Sequence, residues 1–238
     1  MGFYAVLGGY CIEYMALNLS NFAFGSESLA TGGELFAAML SNPAGAVLFA
    51  ALFLALCYLI NRSGISGGIE KFNTIGMPAL FVMLVIVIIR AWTLPNADVG
   101  LKYMFVPGYA LKAGFFDKAP GFMEVLATAG GQMFFSLSLA MGAMITYGSY
   151  MKKEDNLERS VGQIEIFDTG IAFLAGLMIV PAVVAFNGGD ASLIQGKAGP
   201  GLMFGVLPKV FESFPLGGAV GALFFLLVFF AALTSSIS

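Results

Sequence analysis

Between about Met123 and Tyr150 the chain is apolar for long enough to cross a bilayer. Yet its middle reads Gly130-Gly131-Gln132-Met133-Phe134-Phe135-Ser136-Leu137-Ser138-Leu139-Ala140-Met141-Gly142. Glycines and serines at the centre of a membrane helix make sense where something needs backbone and hydroxyl oxygens. In hydrocarbon, irregular backbone survives only where protein or a water-filled cavity covers it. This segment is therefore expected to be a broken helix lining a solute site, an arrangement that points to a secondary transporter.

The rest of the composition agrees with a bilayer as solvent. The chain is 59% hydrophobic and 11% charged, whereas soluble domains carry about 25% charged residues. A soluble fold of this length could not cover so much apolar surface, but lipid can. The formal net charge of −3 is small and dispersed, which argues against nucleic acid as a partner. The absence of histidine removes imidazole metal sites, histidine-based triads and histidine proton relays together. Cys11 and Cys57 lie in separate apolar segments and read as free core thiols.

Six apolar segments are expected to span the membrane as an all-α polytopic bundle: 2–19, 44–60, 75–94, 123–150, 164–186 and 217–238. Pro78 falls in the first turn of the third, where proline is tolerated. Short polar connections fill 61–73 and 151–163, and they concentrate Arg62, Lys71, Lys152, Lys153 and Arg159. Positive charge in short loops marks the cytoplasmic side, so both connections are placed there and the protein in the plasma membrane. The long loop 187–216 repeats Leu202, Phe204, Leu207, Val210 and Phe211 at helical spacing and should contain short helices. The sequence shows no secretory leader; it opens inside one apolar run and stops inside another, as a fragment of a longer chain would.

Oxygen donors gather in these apolar segments. Ser136 and Ser138 lie in the expected break, Thr234, Ser235 and Ser236 in the last segment, and Asp168 about a turn inside the fifth. Hard cations take carboxylate, carbonyl and hydroxyl oxygens, and a break exposes carbonyls on one side and helix N–H groups on the other. A plainer reading stands beside this for every residue. Membrane helices use Ser and Thr to join neighbouring helices or to bond the carbonyl one turn back. Glycines allow close packing, Tyr4 could be a core aromatic, and Asp168, Glu13 and Glu165 could all sit at the interface.

At this point the residues resemble a known family. The run Gly131 to Tyr150 (GQMFFSLSLAMGAMITYGSY) is similar to the sixth transmembrane helix of the neurotransmitter:sodium symporter family, prokaryotic branch. Ala231 to Ser236 resembles the start of its eighth helix, Gly68 to Asn73 the loop before its fifth, and Phe3-Tyr4 its third. The resemblance implies a partial leucine-transporter-like inverted-repeat fold, running from within helix three to within helix eight, with a broken fourth segment. It implies a sodium-coupled symporter of amino acids or related small amines. Tyr4, Phe135, Ser138, Met141 and Ser235 would meet the substrate. Ser136 and Asp168 would serve one sodium, and Ala231, Thr234 and Ser235 a second. Gln132 would belong to an outer gate. Both sodium sites would be incomplete in this chain, because the family's broken first helix has no counterpart here, and these residues alone are not expected to transport.

Two departures carry expectations of their own. The family commonly shows asparagine where Asp168 stands, and a fixed carboxylate there is expected to replace the chloride that animal relatives use. Met141 stands where some members have phenylalanine, and its flexible thioether suggests tolerance of large or aromatic amino acids. The expected partners are the amino acid, sodium and the lipid bilayer, with a second copy of the chain admitted. The alternatives are a transporter-like membrane sensor or a channel subunit. A channel requires a continuous polar stripe, whereas these polar residues cluster at one depth. An intramembrane enzyme would need a second acid or a nucleophile–base pair beside Asp168, and none is evident.

Overall fold

Gly2–Phe24 forms one continuous helix, α1, and it organises much of what surrounds it. The computed structural model describes residues 2–24, 32–62, 65–115, 117–140, 142–191, 194 and 199–237. Among them the long elements after α1 are α3 (Pro43–Arg62), α4 (Ile65–Trp92), α7 (Phe122–Ser136), α9 (Leu157–Phe186) and α11 (Gly217–Ile237). Shorter helices lie between them: α2 (Gly32–Leu40), α5 (Ala97–Phe105), α6 (Tyr109–Lys112), α8 (Ala143–Tyr150) and α10 (Pro200–Glu212). No strand occurs among the described residues, so the fold is all-α.

Among the described residues four helices are long and apolar enough to cross a membrane: Pro43–Ile60, Thr74–Trp92, Leu157–Phe186 and Gly217–Ser236. α1 matches them in length but carries Glu13, Asn18 and Asn21. The segment expected at 123–150 is divided between α7 and α8.

Hydropathy marks lipid contact rather than helix ends. α4 begins at Ile65 and α9 at Leu157, so most of each short polar connection is helical. Backbone hydrogen bonding continues through polar residues once an end is capped. At the start of α9 the Asn156 Oδ1 accepts the Arg159 backbone N–H at 3.0 Å, and Glu158 sits in the first turn, where the helix dipole favours an acid. Pro78 is consequently in the interior of α4 rather than its first turn. Asp168, about a turn inside the apolar segment 164–186, lies eleven residues beyond the start of α9, or about 16 Å at ~1.5 Å per residue.

α1 packs along α11 and across α3, α4 lies against α9 and α11, and α10 lies against α2, α9 and α11. The α1–α3 approach depends on Gly9, where a Cβ would stand 2.8 Å from the Ala50 backbone nitrogen. Aromatic rings fill the junction of α1, α10 and α11. The fully buried Tyr14 lies between Phe225 at 4.8 Å and Phe204 at 5.2 Å between ring centroids, and Phe204 stacks on Phe225 at 5.8 Å.

Two interior prolines, one at this junction and one in α9, shape contacts between helices. A proline has no N–H to give the carbonyl four residues earlier. Pro208 in α10 thus frees the Phe204 carbonyl, and the Tyr14 hydroxyl donates to it at 2.8 Å. Pro181 in α9 frees the Leu177 carbonyl, and the Trp92 indole N–H donates to it at 2.9 Å. In both cases an aromatic donor from another helix satisfies an acceptor that would be costly to leave bare in an apolar setting. Arg90, near the end of α4, adds a third tie: its Nε donates to Ser213 Oγ at 3.0 Å and its Nη2 to the Ser213 carbonyl at 2.8 Å. A cation is well placed there, at the C-terminal end of α10.

Candidate functional site

The interruption of the fourth segment lies between Ser136 and Ala143, so Gly130 and Gly131 are helical and the break starts later than the glycines suggest. α7 ends in a Schellman turn. The Leu139 N–H donates to the Phe134 carbonyl at 2.9 Å and the Ser138 N–H to the Phe135 carbonyl at 3.1 Å. That motif requires a left-handed residue, usually glycine. Here Ser138 occupies it at φ 55°, and Ala140 at φ 60° and Gly142 at φ 79° follow in the same region. Side chains resist this conformation, so the turn carries strain that a continuous helix would not. The carbonyls of Leu137, Ser138, Leu139 and Ala140 accept no hydrogen bond from a described residue.

Beside these carbonyls stands a carboxylate. The half-buried Ser136 hydroxyl, on the last residue of α7, donates to Asp168 of α9 and lies 2.7 Å from both carboxylate oxygens. This bond joins the break to α9. Ser136 also borders a cavity of about 880 Å³, lined by Ser138, Met144, Tyr147 and Glu165 among others. The donor set is one carboxylate, hydroxyls and these carbonyls. Among the described residues no three His, Cys, Asp or Glu side chains cluster as a metal site. Such oxygens suit a hard, weakly held cation rather than a transition metal.

Two other helices approach the same level. The Phe3 ring meets Tyr4 edge-on at 5.9 Å and Phe135 at 6.5 Å, so Phe3 links the start of α1 to the break. Tyr4 is half-buried and Phe135 is exposed. α1 and α11 run antiparallel, with Tyr14 against Phe225 and Asn18 against Gly221. Continuing that register places Tyr4 level with Ser235. Thr234 Oγ donates to the Ala231 carbonyl at 3.0 Å, which brings together two of the oxygens expected to serve one ion. Ser235 is exposed and Ala231 half-buried.

The structure thus joins Ser136 to Asp168, Tyr4 to Phe135 through Phe3, and Thr234 to Ala231. Gln132 is exposed on α7 and joins none of these groups, and Met141 lies outside the described residues. Phe3 was not singled out from sequence, where a phenylalanine at a helix start has no distinguishing signal.

Comparison with known proteins gives these features a context. Residues 35–238 match the family described as "Sodium:neurotransmitter symporter family". An uncharacterized sodium-dependent transporter of Bacillus subtilis, YhdH, is 36% identical over 238 residues, covering 100% of this chain and 49% of its own. An uncharacterized sodium-dependent transporter of Haemophilus influenzae is also 36% identical, with coverages of 100% and 50%. The crystal structure of MhsT in complex with L-phenylalanine superposes with a TM-score of 0.80 at 38% identity, covering 99% of this chain and 50% of that one. The chain spans about half the length of the relatives it matches.

Proposed function

We propose, on the premise that this chain belongs to the sodium:neurotransmitter symporter family, that it forms part of a sodium-coupled symporter of amino acids or related small amines. The family is one of secondary transporters, not enzymes. The observation that carries the reading is the Ser136–Asp168 hydrogen bond at a helix break, beside a run of carbonyls that accept from no described residue. A sodium ion entering there would exchange its water for the Asp168 carboxylate, the Ser136 hydroxyl and backbone oxygens. A second would use the Ala231 carbonyl with Thr234 and Ser235. The Tyr4 hydroxyl would meet the substrate carboxylate, Phe135 would close above it, and Ser138, Met141 and Ser235 would line the side-chain pocket. Gln132 would act in the outer gate.

Because the chain spans half of its relatives' length, both ion sites are proposed to be completed by further segments, and the 238 residues alone are expected not to transport. The proposed span order is 2–19, 44–60, 75–94, 123–150, 164–186 and 217–238. Residues 61–73 and 151–163 would face the cytoplasm of a plasma-membrane protein. The L-phenylalanine bound by MhsT favours a neutral, aromatic-tolerant amino acid site. Binding of labelled L-phenylalanine in sodium and in potassium, by the protein carrying these residues together with the segments that complete the sites, tests the reading: sodium-dependent binding supports it, and equal binding in both salts overturns it. Replacing chloride by gluconate tests the separate proposal that Asp168 substitutes for chloride, which a strong loss of binding would refute.

A further inference from the structure

α9 is held unevenly along its length. Leu177, Met178 and Pro181 to Val184 are buried, whereas Leu157, Ile166 and Phe167 are 63, 74 and 70% exposed. The buried end meets α5, where a Cβ on Gly100 would stand 2.6 Å from the Pro181 Cα, and α4, through the Trp92 indole. Among the described residues, the hydrogen bond tying the exposed half to another helix is that of Asp168 with Ser136. Asp168 is therefore carried on a rod that is fixed at its far end.

We propose that Trp92 is a positioning residue for Asp168. Its indole takes up the carbonyl that Pro181 frees, anchors α9 to α4 there, and so sets where the exposed half of the helix presents its carboxylate. This deepens the reading above, since the purpose of placing Asp168 rests on sodium binding. The latch itself does not, and it can be tested without sodium. Leu177 has no helical alternative while Pro181 is present, because the N–H that would bond it does not exist. Restoring that N–H gives the carbonyl a second partner in competition with the indole. Trp92 is nearly half exposed, so the latch can open to solvent more readily than the fully buried Tyr14–Phe204 bond.

The test follows the Trp92 indole N–H by NMR in nanodiscs, with Trp92→Phe identifying its resonance. Slow exchange with D2O in the unaltered protein supports the latch, and exchange as fast as a free indole overturns it whether or not any variant folds. Pro181→Ala should speed that exchange about tenfold by competition for Leu177, as a local opening would, and an unchanged rate overturns the proposal. Trp92→Phe should raise amide exchange across 160–170 severalfold while sparing the cores of α1 and α11, and adding Pro181→Ala should reverse much of it. A uniform rise over all helices, or effects that add without rescue, would reduce Trp92 to ordinary packing and refute the positioning role. These outcomes stand apart from the transport reading, which the sodium-dependent binding of L-phenylalanine decides separately.

Discussion

The junction of α1, α10 and α11 and the break between α7 and α8 solve opposite problems with the same backbone. At the junction the carbonyl released by Pro208 receives a donor from another helix, and rings fill the space around it. At the break several carbonyls are released and receive no donor from a described residue, beside a carboxylate and a cavity. The first arrangement closes polar groups away so that the bundle holds its shape. The second leaves them open, which costs stability and has value only if a ligand supplies the missing partner. Strain points the same way, since Ser138 and Ala140 both hold left-handed conformations at the break; among the described residues the other non-glycine residue to do so is Asn96.

Replacing a residue at each place should therefore have opposite signs. Phe204→Ala should have the largest effect, removing a fully buried ring stacked on Tyr14 and Phe225, with a loss of ~3–5 kcal/mol visible as a lowered unfolding midpoint in detergent. A wild-type midpoint would break the contrast. Asp168→Asn should leave the unfolding midpoint in sodium-free buffer nearly unchanged and weaken sodium-dependent binding by about ten- to a hundredfold, as expected for losing a charge-assisted interaction of ~1.5–3 kcal/mol. A large stability loss without a sodium effect would make the carboxylate structural. Ser138→Gly should raise stability by ~1 kcal/mol by relieving the left-handed residue, measured by the same melt, and a decrease would mean the turn is not strained.

The smallest effect belongs to the exposed Asp98–Lys102 pair on α5, 2.8 Å apart. The Lys102 hydrogen bond and charge hold the Asp98 carboxyl below its ordinary value of 3.8. A lowered folded pKa contributes stability above that ordinary value and loses it as pH falls through the lowered one. Lys102→Met should remove that slight acid-side slope by lowering the melt a little at neutral pH while leaving it unchanged in strong acid, and a marked drop at neutral pH would contradict it.

Much of the architecture was legible because lipid imposes a simple rule. Apolar runs of sufficient length gave the helical class, and glycines and serines within one gave the interruption. The ends of α4 and α9 were not legible, since hydropathy falls at the membrane surface while hydrogen bonding continues past it to a cap such as Asn156. Ser136 and Asp168 could be paired from family resemblance, but the role of Phe3 between Tyr4 and Phe135 could not, because it depends on how α1 and α7 meet. The proline partners were equally hidden: Trp92 and Leu177 are 85 positions apart, and Tyr14 and Phe204 are 190.

That separation bears on how such a sequence can drift. A change at Pro208 alone alters what Tyr14 must do, and a change at Tyr14 alone strands an oxygen in the densest part of the bundle. Each is tolerated best after the other has gone. The two prolines and their distant aromatic donors should accordingly be inherited as pairs, lost together or kept together, and chains that retain one without the other should show a compensating donor at the same height.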